Sequence, residues 1–299
     1  MGELIEKFII FLKIEKNSSP WTQKKYFEDL VQFSNFLKEQ NILIENLDHL
    51  ILRRFLAVLQ KKGYARTTVA RKLSALRSFI RFINRENDFK INHKLSVSTP
   101  KLGRKLPNFL YLSEVIALLE SPDANTVLGN RDRAILEVLY AAGIRVSELV
   151  GLNTGDIDLN SRVLRVYGKG SKERIVLIGR YAEDSLCSYL KSSRLKLLEN
   201  RKNSYNDGKA LFLNKYGFRI TDRSIRRIIE KYIKNSAVKT KASPHTIRHS
   251  FATHLMDAGA DLRTVQELLG HVNISSTQIY THLTKEAVKK TYNSAHPRA

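Results

Sequence analysis

The sequence predicts a mainly α protein of two domains: an all-helical front domain, then a mostly helical second domain with one small antiparallel β-sheet. Three observations predict it. Apolar residues recur at helical spacing through residues 1–91, periodicity breaks over 92–107, and the period shortens to two only between about 156 and 178.

Residues 3–14 read as a short amphipathic helix, and Asn17-Ser18-Ser19-Pro20 supplies a cap and a proline for the next helix start. Over about 20–39, Tyr26, Leu30, Phe33 and Leu37 form an apolar stripe. A third helix is expected near 48–61, stopping at Lys62-Gly63. The fourth, about 65–86, carries Val69, Leu73, Leu76, Ile80 and Ile83 along one side. Four such helices on short links make a small bundle. Opposite the last stripe fall Thr67, Arg71, Ser74, Ser78, Arg81 and Arg85, basic and hydroxyl groups without an acid. That face, with Lys24 on the second helix, suits phosphates and base edges in a major groove, and a solvated face would look the same.

The break at 92–107 holds two prolines, a glycine and four basic residues without an acid, as befits an interdomain linker lying on something anionic. The second domain, 108–299, opens with a helix capped by Ser113, then a longer one over about 130–142 ending at Gly143, and a further helical turn from Ile144 to Leu149. Residues 163–166 and 174–178 read as strands joined by the glycine-rich turn Gly168-Lys169-Gly170-Ser171-Lys172. Helices are expected at about 181–199 and 221–235, with a short strand at Leu211–Leu213 between them. From 244 onward the chain is helical almost throughout. Ser243 caps and Pro244 opens that stretch, with Phe251, Leu255 and Met256 as its buried side, and a last helix over 284–295 turns Ala287, Val288 and Tyr292 inward.

Charge is the informative bulk property. Fifty-one Lys and Arg against 29 Asp and Glu give a net charge of +22. Residues 1–100 carry +8 and 101–299 carry +14, so the whole chain is basic rather than tailed, a field that favours nucleic acid. No apolar run is long enough for a membrane span, and the acid-bearing start is not a secretory leader. The single cysteine, Cys187, excludes a disulfide framework and fits a reducing cytoplasm.

The segment Pro244 to Tyr280 concentrates chemistry. His245 and Arg248 share one helical face, His271 follows Gly270, and Tyr280 lies nine residues on. A guanidinium, two imidazoles and a phenol make a kit for attacking a phosphodiester, whose anionic oxygens repel nucleophiles and gain charge as phosphorus becomes five-coordinate. The sequence offers no metal-ligand cluster, so arginines must supply the compensating charge, and Arg145 and Arg248 can each grip two oxygens. His245, His249 and His254 crowd one helix but lack a metalloprotease glutamate, and Gly168-Lys169-Gly170 is not a P-loop.

Arg145 in Gly-Ile-Arg-Val-Ser-Glu-Leu, Lys169 in Gly-Lys-Gly-Ser-Lys-Glu-Arg, His245-x-x-Arg248, Leu-Gly-His271 and Tyr280 stand in that order. Together with the ending His296-Pro297-Arg298-Ala299 they resemble the tyrosine recombinase (phage integrase) family, XerC/XerD type, over essentially the whole chain. The resemblance implies a SAM-like core-binding domain at 1–91, the tyrosine recombinase fold at 108–299, and Tyr280 as nucleophile forming a 3′-phosphotyrosyl link to DNA. It makes His245 the base, His271 a second phosphate donor and Lys169 the general acid, although Lys172 and Arg174 stand close enough to share that assignment or to bind DNA instead. It implies no cofactor, double-stranded DNA as partner, and a homo- or hetero-tetramer on two DNA sites. A DNA translocase of the FtsK type is a candidate partner, and 284–295 is the candidate subunit-exchange helix, unless it caps its own domain. Chromosome-dimer resolution at dif-like sites and integration of a mobile element share this active site. A non-catalytic architectural protein with the same fold would show degraded catalytic positions, and none is degraded.

Overall fold

The computed structural model describes residues 1–86, 109–168, 173–201, 208–236, 242–270 and 282–299. The chain divides into two compact units, Met1–Lys105 and Leu106–Ala299.

The first unit is built on α1 (Gly2–Ile14), α2 (Pro20–Glu39), α3 (His49–Lys61) and α4 (Arg66–Glu86). Ser19 caps α2 by accepting the Thr22 amide at 3.2 Å, and Asp48 caps α3 by accepting the Ile51 amide at 2.8 Å. The stripes meet in a core of Phe8, Leu30, Phe33, Phe55, Leu59, Leu73, Leu76, Phe79 and Ile83. Phe79 and Phe82 widen the buried side of α4 beyond the spacing read from the sequence, because Phe8 on α1 packs between them at 5.3 and 5.4 Å. One buried polar knot ties α2 to α4: Asp29 accepts from Arg71 and, at 2.8 Å, from the buried ammonium of Lys72, which also reaches Gln32 at 2.6 Å. Asp29→Ala should lower stability by about 3–5 kcal/mol, because Lys72 would be left charged in the core. A urea unfolding curve checks it.

The second unit contains α5 (Leu112–Glu120), α6 (Val127–Ala142) and α7 (Val146–Gly151), then strands β1 (Ile157–Asp158), β2 (Val163–Tyr167) and β3 (Glu173–Leu177). Next come α8 (Arg180–Ser188), a π-helical turn Tyr189–Ser193, and α9 (Arg194–Glu199), followed by α10 (Asp222–Asn235), α11 (Pro244–Asp257), α12 (Leu262–Leu269) and α13 (His282–Ala295). The strands form one antiparallel sheet in chain order, with Leu164 opposite Val176 and Val166 opposite Arg174. α6 is buried nearly all round and forms the axis of the unit.

Four local expectations change. α5 begins at Leu112, so Ser113 lies inside it; the cap is Tyr111, whose amide donates to Glu114 at 3.0 Å. Leu211–Leu213 is no strand: Ala210 and Leu213 each form one isolated bridge, to Asn153 and Arg219, before the chain folds over a turn from Asn214 to Phe218. Met256 is exposed, lying five residues and 140° round from Phe251, while the buried side of α11 runs through Ile247, Phe251 and Leu255. On α13 Ala287 faces solvent, whereas Val288, Tyr292 and Ala295 turn inward.

The C-terminal segment folds onto its own unit. Tyr292 is buried and donates to the Ala141 carbonyl at 3.0 Å, and the His296 ring stacks on Tyr292 at 4.8 Å. Arg298 reaches the buried Glu137 of α6 with contacts of 2.6 and 3.2 Å, and lies 3.8 Å over the Tyr181 ring. Burial holds His296 neutral, pulling its pKa down to about 4. Deleting 284–299 would therefore remove core side chains as well as any intersubunit contact.

Candidate active site

Two helix ends and one strand bring the arginines together. α6 ends at Gly143 in the left-handed conformation, φ 54°, where a Cβ would lie 2.5 Å from the Phe251 ring of α11, so only glycine fits this turn. Two residues on, Arg145 takes the N-cap position of α7. Glu148, at the third position of α7, accepts the Arg145 amide at 2.8 Å and the Arg145 guanidinium at 3.0 Å. The same carboxylate receives Nη1 and Nη2 of Arg174 from β3, each at 2.8 Å, in a bidentate fork.

Arg248 enters from the first turns of α11. It donates to the Gly143 carbonyl, which ends α6, and at 2.7 Å to the Leu269 carbonyl, which ends α12. Both acceptors are among the orphan carbonyls that a helix C-terminus presents to cations. Burial, then the charge of Arg145, draws the Arg248 pKa down to about 10, with Arg174 adding to the effect and Glu148 opposing it. Arg248 is therefore still charged at neutral pH, and these four residues share one electrostatic environment. Burial pushes the Glu148 carboxyl up, but the bonds from Arg174 and from the Arg145 amide outweigh it, leaving that carboxyl below its usual range. Three guanidinium groups against one carboxylate leave a surplus of +2, suited to an anion.

His245 lies one turn before Arg248 on α11 and is exposed. His254 is buried and bonded to the Tyr140 hydroxyl at 2.8 Å, and His249 meets the Phe109 ring edge-on, so both are packing residues. Lys169, Lys172, His271 and Tyr280 lie outside the described residues. Arg174, expected as a DNA contact or a rival to Lys169, is instead turned into the site with both terminal nitrogens on Glu148. Glu148 itself was missed, although a glutamate three residues after a helix N-cap is a capping signature.

On the front unit, Ser74, Arg81 and Lys24 are exposed and Ser78 is half-buried. Arg81 donates back to the Arg77 carbonyl of its own helix at 3.3 Å. Arg71 is held by Asp29, and Arg85 pairs with Glu15 at 3.0 Å and Glu86 at 2.8 Å. The acid-free face read along α4 thus gains acids in three dimensions: Asp29 from α2, Glu15 from the end of α1, and Glu86 from the last position of α4 itself.

Residues 108–287 match the phage integrase family, and residues 5–87 match the phage integrase N-terminal SAM-like domain. The chain is 48% identical to the tyrosine recombinase XerC of Pelotomaculum thermopropionicum, over 99% of this chain and 98% of that protein. It is also 48% identical to the tyrosine recombinase XerC of Natranaerobius thermophilus, over 100% of this chain and 99% of that one. Among solved structures it resembles the XerH site-specific recombinase bound to palindromic difH substrate in a post-cleavage complex, with TM-score 0.70 and 26% identity over 97% of this chain and 83% of that one. On these matches and on the arginine site between α6, α7 and α11, the chain belongs to the phage integrase family, the site-specific tyrosine recombinases.

Proposed function

We propose that this protein cuts and rejoins double-stranded DNA at a short, roughly palindromic site through a 3′-phosphotyrosyl intermediate. The observation that carries this reading is the convergence of Arg145 and Arg248, from α7 and α11, on one carboxylate-braced cationic site. The Tyr280 oxygen attacks phosphorus, the bond to the 5′ oxygen breaks, and Lys169 protonates the departing oxygen. His245 takes the phenol proton, which otherwise leaves only near pH 10. Arg145, Arg248 and His271 hold the non-bridging oxygens as their charge grows. A 5′ hydroxyl from the partner duplex then attacks the phosphotyrosine and gives its proton to Lys169, while His245 returns the proton to the departing phenol oxygen. Bond energy is kept in the protein–DNA link, so the exchange runs without a nucleotide.

The front unit, 1–91, clamps DNA with Lys24, Ser74, Ser78 and Arg81, with Arg71 and Arg85 contributing from their ion pairs, and Lys172 supports the hairpin end. Residues 92–107 form the linker and 108–299 the catalytic domain, and 284–295, seated on its own unit through Tyr292 in the free chain, is the segment exchanged between subunits on DNA. Two dimers synapse as a homo- or hetero-tetramer in the cytoplasm and resolve chromosome dimers at dif-like sites through a Holliday junction, with an FtsK-type translocase as candidate activator. No helix among the described residues is long and apolar enough to cross a membrane.

The test is a duplex carrying a candidate site, nicked near the cleavage point so that the released fragment escapes. A protease-sensitive, slow-migrating DNA band on a denaturing gel is the expected result; tight binding without such a band at any candidate site contradicts the reading. Affinity for the intact duplex should fall steeply with salt, by about 10³-fold or more between 50 and 200 mM, as a protein neutralising six or more phosphates requires. A fluorescence-anisotropy salt titration measures that slope.

A further inference from the structure

We propose that Arg174 is a positioning residue: by occupying Glu148 it keeps the charge of Arg145 available to the scissile phosphate. The proposal rests on the recombinase reading above. Its basis is the register of the sheet. Arg174 stands opposite the fully buried Val166 and alternates with Val176 on the core face, whereas Arg165, Glu173 and Ile175 face outward. Only 18% of its side chain is exposed, and both terminal nitrogens are donated to Glu148. Its stem and head lie against Gly270, where φ is 67° and an added Cβ would sit 2.7 Å from Cδ and Nε. Arg174 is therefore enclosed between β3, α7 and the end of α12, with its fork turned toward the carboxylate rather than toward an outside ligand.

The consequence is electrostatic. Glu148 is 5% exposed and accepts four donations, two from Arg145 and two from Arg174. Arg145, Arg174 and Glu148 together carry a net +1. Without Arg174, Glu148 and Arg145 become a closed neutral pair, and a phosphate must compete with a buried carboxylate for the guanidinium. The positive surplus of the whole site, Arg248 included, falls from +2 to +1. Removing Arg174 should thus resemble a partial loss of Arg145. Removing Glu148 as well should release Arg145 again, and glutamine at 148 can still cap α7.

The experiment measures single-turnover cleavage of the nicked duplex by the full chain as wild type, Arg174→Ala, Arg174→Gln, and Arg174→Ala with Glu148→Gln. Each is paired with a dissociation constant and a melting temperature. Arg174→Ala should cleave about 10²-fold more slowly, the scale for losing a preorganised donor, with affinity changed less than about threefold. The double variant should cleave at least about tenfold faster than Arg174→Ala, since the competing carboxylate is gone. A methylphosphonate at the scissile position, which removes one anionic oxygen, should shrink the Arg174→Ala defect. If Arg174→Ala does not fold, Arg174→Gln, which drops the charge but keeps a polar side chain beside Glu148, decides: a loss in cleavage rate that the methylphosphonate relieves supports the role, and a wild-type rate overturns it. A double variant no faster than Arg174→Ala, or a loss confined to the dissociation constant, overturns the proposal while leaving the recombinase reading intact. Absence of any wild-type adduct would overturn the recombinase reading and this proposal with it.

Discussion

Arg248→Ala is expected to slow DNA cleavage by at least about 10²-fold while leaving DNA affinity within a few-fold of wild type, the cost of losing a preorganised donor to a developing oxyanion. The geometry gives the reason. Of the five N–H donors on a guanidinium, Arg248 commits one to the Gly143 carbonyl and one to the Leu269 carbonyl, and the rest can serve a phosphate. The two carbonyls fix the plane of the group before DNA arrives. Lysine keeps the charge, but its single ammonium cannot span both helix ends and a phosphate, so Arg248→Lys should recover only part of the rate. Two lost carbonyl bonds should also cost about 1 kcal/mol each, so cleavage must be compared well below the melting temperature of each variant. A cleavage rate within a few-fold of wild type for Arg248→Ala would place the phosphate elsewhere.

The second large effect concerns stability. Arg298→Ala should destabilise the second unit by about 3–5 kcal/mol at neutral pH, because Glu137, 1% exposed on the central helix, loses its buried partner. Burial already raises the Glu137 pKa, and the Arg298 charge and hydrogen bonds hold it down in part. Without Arg298 it rises further. A carboxyl whose folded pKa is raised stabilises the fold at low pH and loses that contribution as pH climbs through the folded value. His296 responds in the same direction, since the Arg298 charge helps to depress its pKa. The gap in melting temperature between wild type and Arg298→Ala should therefore widen from pH 5 to pH 8. Adding Glu137→Gln should narrow it at pH 8. A gap independent of pH would show that Arg298 acts by packing on Tyr181 rather than by pairing with Glu137.

Much of this architecture is legible in the sequence because the helices carry strong local signals. Ser19-Pro20, Ser243-Pro244 and Gly143 mark ends that the structure keeps, and the change of period near 156 marks the sheet. Arg145 and Arg248 are legible as a pair because each lies in a recognisable motif. Glu148 is not, since its meaning depends on Arg174 arriving from β3, 26 residues later. The pairs Arg71 with Asp29 and Arg298 with Glu137 are hidden for the same reason: partners 42 and 161 residues apart leave no periodic trace. The misplaced strand at Leu211–Leu213 shows the limit of apolar runs. That run is buried because the body of the unit covers it, not because it pairs along its length.

In the proposed reaction one tyrosine of this chain, Tyr280, becomes covalently joined to DNA. The direct measurement digests the adduct trapped on the nicked duplex and identifies the DNA-linked peptide by mass spectrometry, with Tyr280→Phe run in parallel. The expected result is a 3′-phosphate linked to the peptide containing Tyr280, and no adduct from Tyr280→Phe despite unchanged binding. An adduct on any other residue, or one that persists in Tyr280→Phe, would contradict it.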